Sequence, residues 1–205
     1  MEKIYRYINI NEFNIDEMQK SVSAKRIERS EKYKFEVDKK RSIAVEYLLN
    51  QMIDEFHSEI KTPVELTYDQ SGKPHMYSDS MEDVLQISLS HSGDYVACMI
   101  SDVECGIDIE KHSKKREYEK IATRICTERE LSNIHDAKDF YDIWTLKESA
   151  IKAVGLGLSM DMKKCEMVKI EKGIFEIEIS GHKYKGEILD SPEDYSCSIV
   201  YKNES

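Results

Sequence analysis

A chain of 205 residues with 40% hydrophobic residues and only 8 Gly and 3 Pro has the composition of a folded globular protein, long enough for one large domain or two small ones. Its formal net charge of −10 excludes a general binder of nucleic acid or anionic membrane, whose affinity comes from Lys and Arg neutralising phosphates. The 5 Cys are odd in number, scattered and never spaced Cys-x-x-Cys, which argues against zinc or a disulfide framework; with no apolar run at Met1 to Tyr7 and no stretch long enough to span a bilayer, a reducing cytoplasm is expected.

Residues 3–10 read as a strand, and 16–35 as a polar helix with Val22, Ile27 and Phe35 on its apolar side. From Val37 to Glu59, Ile43, Val45, Leu48, Leu49, Met52, Ile53 and Phe56 recur at spacings of three and four, which predicts a buried helix stopped by Pro63. A strand follows at Val64 to Tyr68, then the breaker-rich turn Asp69 to Pro74, and strands near Leu85 to Leu89 and Tyr95 to Ser101. A strand through Gly106 to Glu110 leads into a charged helix ending about Ile125, a short helix, and a clear helix from about Lys138 to Val154 closed by Gly155 and Gly157. Strand signals at Cys165 to Ile170, Ile174 to Ile179, His182 to Leu189 and Tyr195 to Tyr201 complete the chain. Each half mixes strands with one long helix, so a boundary near residue 103, giving halves 1–103 and 104–205, is expected although no repeat is readable.

Three segments carry chemistry. In Gly106-Ile107-Asp108-Ile109-Glu110 the period of two turns Ile107 and Ile109 to the core and both carboxylates to the opposite face. Paired hard oxygens suit Mg2+, which keeps waters and binds substrate phosphates; an alternating strand with a polar outer face reads the same way. In Trp144 to Ala153, Glu148 and Lys152 sit together on the flank of an apolar stripe, as an ordinary i, i+4 pair also would. Lys147 falls near the centre of that stripe, where a charge requires a partner or an outward reach. Ser88-Leu89-Ser90-His91-Ser92-Gly93 reads as a polar turn, with His91 a phosphate-ligand candidate and Ser92 a turn cap; the serines lack the Gly-x-Ser-x-Gly elbow of a nucleophile. Upstream, Lys25, Arg26, Arg29, Lys32, Lys34, Lys39, Lys40 and Arg41 fall within seventeen residues, as a solvated helix face or a site for a polyanion.

Taken together and in this order, Gly106 to Glu110 and Trp144 to Lys152 resemble the two signature motifs of the 4'-phosphopantetheinyl transferase superfamily, and the length resembles its Sfp-type branch. The resemblance runs from about Arg26 to Gly157. It implies an α/β (α+β) pseudodimer of two similar halves, each a small, mainly antiparallel sheet on a long helix, with coenzyme A in the cleft between them. It further implies Mg2+ on Asp108, Glu110 and Glu148, and Lys152 on the diphosphate. The Gly72-Lys73-Pro74 turn, Ser90 and His91, and Arg26, Arg29, Arg41 and Ser42 would hold the coenzyme A nucleotide. The reaction implied is transfer of phosphopantetheine from coenzyme A to a serine of an acyl or peptidyl carrier protein, with Glu148 as base and a monomer sufficient. Ser88 stands where relatives commonly carry Asn, and Ile125 where an aromatic is common. A Mg2+-dependent phosphohydrolase using the same carboxylates, and a non-catalytic coenzyme A or carrier-binding protein, are the other classes the residues admit.

Overall fold

A computed structural model describes residues 2–78, 81–82, 85–113, 117–157 and 160–203. Strand β1 (Lys3–Asn9) leads to two short helices, α1 (Ile15–Gln19) and α2 (Ala24–Ser30). The single helix expected over 16–35 is thus broken. Ser23 is extended and its side chain accepts from Arg26 N, so it caps a new helix rather than continuing the old one. Phe35, expected on an apolar face, is 60% exposed and precedes α3 (Glu36–Phe56).

Helix α3 buries Ile43, Val45, Leu48, Leu49, Met52 and Ile53 at the expected spacing, but Phe56 lies at its exposed end. The helix stops at a cap on His57, ahead of Pro63. Strands β2 (Glu65–Tyr68), β3 (Pro74–Ser78) and β4 (Met81–Glu82) form a small sheet; the last two escape a reading by periodicity because each is short. Strands β5 (Gln86–Ser92) and β6 (Tyr95–Ser101) pair with β1 in the order β1-β6-β5, and α3 packs on this sheet.

Strand β7 (Cys105–Lys111) opens the second half, followed by α4 (Tyr118–Ile125), α5 (Glu128–Leu131) and α6 (Ala137–Val154). The charged helix expected from Glu110 begins only at Tyr118, and its stretch 114–116 lies outside the described residues. Helix α5 starts with a reciprocal capping box between Thr127 and Glu130. Helix α6 is capped by the Asp136 side chain and ends at Gly155, whose φ of +74° is left-handed, as expected of a glycine terminator. Strands β8 (Glu166–Glu171), β9 (Ile174–Ile179), β10 (His182–Leu189) and β11 (Tyr195–Lys202) complete a sheet ordered β7-β11-β10-β9-β8, with α6 on one face.

The fold is therefore α+β and mainly antiparallel, with the same plan twice: one long helix on one sheet. One apolar cluster gathers residues from Ile10 to Ile100 around α3, and another gathers Ala122 to Val200 around α6. A third is shared, joining Ala97 and Met99 of β6 to Ile107 and Ile109 of β7 and Cys197 and Ile199 of β11. Among the described residues no helix is long and apolar enough to cross a membrane.

Candidate active site at the seam between the two sheets

Strands β5 and β7 are edges of different sheets and lie side by side. As the period-two reading requires, Ile107 and Ile109 are fully buried in the shared core, while Asp108 and Glu110 face the seam. Helix α6 comes close enough to β7 that a Cβ on Gly106 would lie 1.9 Å from Ser149 O. A residue without a side chain at 106 is what lets the helix approach and deliver Glu148 and Lys152 to the carboxylates.

Lys152 Nζ donates to Asp108 Oδ1 at 2.7 Å, to Ile107 O at 3.1 Å and to Leu89 O at 3.4 Å, so one ammonium spans both edge strands. Asp108 is 4% exposed; its Oδ1 also accepts from Ser90 Oγ at 2.7 Å, and its Oδ2 is buried without a hydrogen-bond partner. Glu110 Oε2 accepts from Ser92 Oγ at 2.8 Å. Burial, then the charge of Asp108 and more weakly that of Glu110, pushes the Glu148 carboxyl up to about 7, against a smaller opposing pull from Lys152.

Ser88, Ser90 and Ser92 lie on a strand, not in the expected turn, and Ser92 is no turn cap: its Oγ faces Glu110. The reversal comes at Gly93, whose φ is +55°. His91 is an exposed residue; partial desolvation of its imidazole, then the charges of Lys152 and Arg41, lower its pKa. Arg41 Nε donates to Gly93 O at 2.7 Å and Nη1 to Asp38 Oδ1 at 2.8 Å, tying α3 to the β5–β6 turn.

Beside the carboxylates, a cleft of about 250 Å3 is lined by Lys73, Ser88, Leu89, Glu148, Lys152 and Gly155, among others. Its Lys73 belongs to a turn organised by Asp69, whose Oδ1 accepts from Ser71 N, Ser71 Oγ and Lys73 N; these bonds hold the Asp69 carboxyl well below its usual range. Lys73 Nζ donates to Ala153 O at 2.9 Å in the last turn of α6.

Arg26, Arg29 and Ser42 gather elsewhere. Arg26 is 5% exposed; its Nε donates to Glu46 Oε2 at 2.9 Å, Nη2 to Tyr68 OH at 2.7 Å and Nη1 to Ser42 Oγ at 3.4 Å. The Arg29 guanidinium lies 4.1 Å from the Tyr68 ring centroid. Arg26, Arg29, Lys25, Lys32 and Tyr68 border a separate pocket of about 530 Å3, so the structure does not place this group among the residues lining the carboxylate cleft. Glu46 and Tyr68 were not singled out as site residues by sequence, and Ser92 was read there only as a turn cap; its place as the third member of Ser-x-Ser-x-Ser ahead of Asp-x-Glu was the trace of its bond to Glu110.

Lys147 finds the partner its position demands. It is fully buried, donates to Met162 O and Cys165 O at 2.9 Å each, and lies 3.0 Å from Glu130 Oε1.

The site's chemistry fits a divalent cation. Asp108 Oδ2 lacks a partner, and Glu148 feels two further carboxylates. Among the described residues no three His, Cys, Asp or Glu side chains form a ready-made cage; a Mg2+ ion, which keeps waters and takes substrate oxygens, does not need one.

The sequence matches two family models end to end: 4'-phosphopantetheinyl transferase, N-terminal, over residues 11–102, and the 4'-phosphopantetheinyl transferase superfamily over 104–200. The chain belongs to the 4'-phosphopantetheinyl transferase superfamily. A Bacillus subtilis 4'-phosphopantetheinyl transferase is 27% identical over 192 residues, covering 90% of this chain and 84% of that protein. The mouse L-aminoadipate-semialdehyde dehydrogenase-phosphopantetheinyl transferase is 31% identical over 162 residues, covering 72% of this chain and 52% of its own length. The chain thus spans about half the length of the mammalian members of the superfamily that it matches. Among solved structures, a Thermotoga maritima holo-[acyl-carrier-protein] synthase overlaps 50% of this chain and 64% of its own at 21% identity, with a TM-score of 0.36, too low a likeness to argue from.

Proposed function

We propose that this protein transfers the 4'-phosphopantetheine of coenzyme A to a serine hydroxyl of an apo acyl or peptidyl carrier protein, releasing adenosine 3',5'-bisphosphate. The observation that carries the reading is the meeting of Asp108 and Glu110 on β7 with Glu148 and Lys152 on α6, in a chain of this superfamily. We divide the chain into halves 1–103 and 104–205, acting together as a monomer in a reducing, cytoplasmic setting; all five cysteines are free and buried.

Asp108, Glu110 and Glu148 are the residues that would hold Mg2+, which would supply positive charge to the diphosphate oxygens. Glu148, directly or through a water, is assigned to take the proton of the carrier serine as the general base. The serine oxygen attacks the phosphorus bearing pantetheine, and the bond to the second phosphate breaks. Negative charge grows on that leaving phosphate. Lys152, an ammonium fixed by two backbone carbonyls and Asp108, serves it better in the transition state than in the ground state. Lys73, Ser90, His91 and Arg41 are assigned to coenzyme A from the cleft side, and Arg26 and Arg29 of the basic pocket, with Ser42 bonded to Arg26, to its nucleotide.

The test is intact-protein mass spectrometry of apo carrier proteins incubated with this protein, coenzyme A and Mg2+. The expected result is a chelator-sensitive gain of one phosphopantetheine. Cleavage of coenzyme A without any gain would replace the reading by hydrolysis, and binding without either would replace it by a non-catalytic role.

A further inference from the structure

Backbone pairing joins β5 to β6 and β7 to β11, whereas β5 meets β7 through side chains. Ile107 N donates to Ser88 Oγ at 3.0 Å, Ile109 N to Ser90 Oγ at 3.3 Å and Lys111 N to Ser92 Oγ at 3.1 Å. The three hydroxyls replace the carbonyls that a neighbouring strand would offer, and they keep step with β7 residue for residue. An amide of an edge strand buried without an acceptor costs about 1–3 kcal/mol, so the ladder accounts for how two separate sheets close on one another.

A hydroxyl has one proton to give and lone pairs to spare. Having accepted from β7, Ser90 gives its proton to Asp108 Oδ1 at 2.7 Å and Ser92 gives its own to Glu110 Oε2 at 2.8 Å. The register is the same on each rung: the serine accepts from one residue of β7 and donates to the side chain just before it. On the first rung that preceding residue is Gly106, which has no side chain. Ser88 therefore shares the amide contact and lacks a carboxylate to hold.

We infer that Ser90 and Ser92 are positioning residues that fix the rotamers of Asp108 and Glu110, so that the seam between the sheets and the aim of the two carboxylates are set by the same hydroxyls. Each serine takes up one carboxylate oxygen; in Asp108 the other, Oδ2, stays buried and unbonded. Ser90 is assigned above to coenzyme A, and its 7% exposure and its bond to Asp108 give it this second task. Ser92 is the cleaner probe, since it is assigned no other role. The inference rests on the reading of Asp108 and Glu110 as cation ligands.

The experiment titrates Mn2+ into the full chain with saturating coenzyme A and counts the free ion by electron paramagnetic resonance against a coenzyme A blank. Partners of metal ligands typically contribute 10–100-fold in affinity, so Ser92→Ala is expected to weaken Mn2+ binding about tenfold. Ser92→Thr, which keeps the hydroxyl, is expected to bind within about twofold of wild type, and so is Ser88→Ala, which loses the amide contact alone. Coenzyme A affinity without metal is expected to stay level in Ser92→Ala, as a merely loosened seam would not allow. Equal Mn2+ affinity in Ser92→Ala and wild type, or equal weakening in Ser88→Ala, overturns the inference and leaves the cation reading intact. A wild-type protein that binds no Mn2+ overturns the cation reading itself, and this inference with it.

Discussion

Two ion pairs of the molecule, one buried on both sides and one with a buried carboxylate and a half-buried lysine, differ in how completely they are satisfied. In Arg26–Glu46 each guanidinium nitrogen has a protein partner, and the second carboxylate oxygen accepts from Ser23 N at 2.7 Å. In Lys152–Asp108 one carboxylate oxygen is shared by two donors while the other has none, and a third carboxyl nearby is driven toward its neutral form. Burying charge is costly unless every polar atom is matched. The first pair meets that condition and braces α2 against α3; the second violates it, which is the mark of a place where binding or chemistry completes the set.

Removing one partner should separate the two most clearly. Glu46→Ala leaves Arg26 buried and uncompensated and is expected to cost about 3–5 kcal/mol in urea unfolding; a variant as stable as wild type would erase the distinction. Asp108→Ala should instead keep its fold and lose about 10^2–10^3 in turnover in the carrier-labelling assay, the usual effect of deleting one electrostatic stabiliser.

Glu148 gives the sharpest contrast in sign. Its folded pKa of about 7 lies above the ordinary value of 4.5, so the folded state holds the proton more tightly. The stability contributed by this carboxyl is therefore undiminished below about pH 4.5, falls as pH rises toward 7, and stays reduced above it. The shift corresponds to roughly 3 kcal/mol. Glu148→Gln is accordingly expected to unfold at higher urea than wild type at pH 8 and to match it near pH 4.5, with Mg2+ and coenzyme A narrowing the gap. A Glu148→Gln variant no more stable than wild type at pH 8 would contradict the environment described for this carboxyl. The smallest effect belongs to Arg29→Ala, which loses a contact with the Tyr68 ring worth about 0.5–1 kcal/mol at an exposed site. Its use is to sharpen the comparison: weaker coenzyme A binding with nearly unchanged stability would assign the basic pocket to the nucleotide.

The features legible in the sequence were those set by local periodicity. Alternation along Gly106 to Glu110 placed Ile107 and Ile109 inward and both carboxylates together, and the three-and-four spacing of α3 and α6 marked their buried faces. Glycine at 155 ended α6 as its conformational freedom suggests. What escaped depended on partners distant in the chain. Ser88 to Ser92 looked like a turn because serine is common there; the strand continues to Ser92 through its ladder with β6, and the hydroxyls are taken up by β7, some 19 residues on. Lys147 was recognisably misplaced on its stripe, yet nothing local named Glu130, Met162 O and Cys165 O as its partners. The break between α1 and α2 turned on whether Ser23 would cap or continue a helix, a choice involving Glu46, which lies 23 residues away and accepts from its amide.

The apolar cluster shared by β6, β7 and β11 has a mechanical consequence. Swinging one half away from the other would bring Ala97, Met99, Ile107, Ile109, Cys197 and Ile199, all buried, toward water at about 25 cal/mol per Å2 of apolar surface. The cleft is thus a notch cut across a stiff joint rather than a jaw. What admits a ligand there must be the turning of a few side chains, Lys152 foremost, in a frame that does not bend.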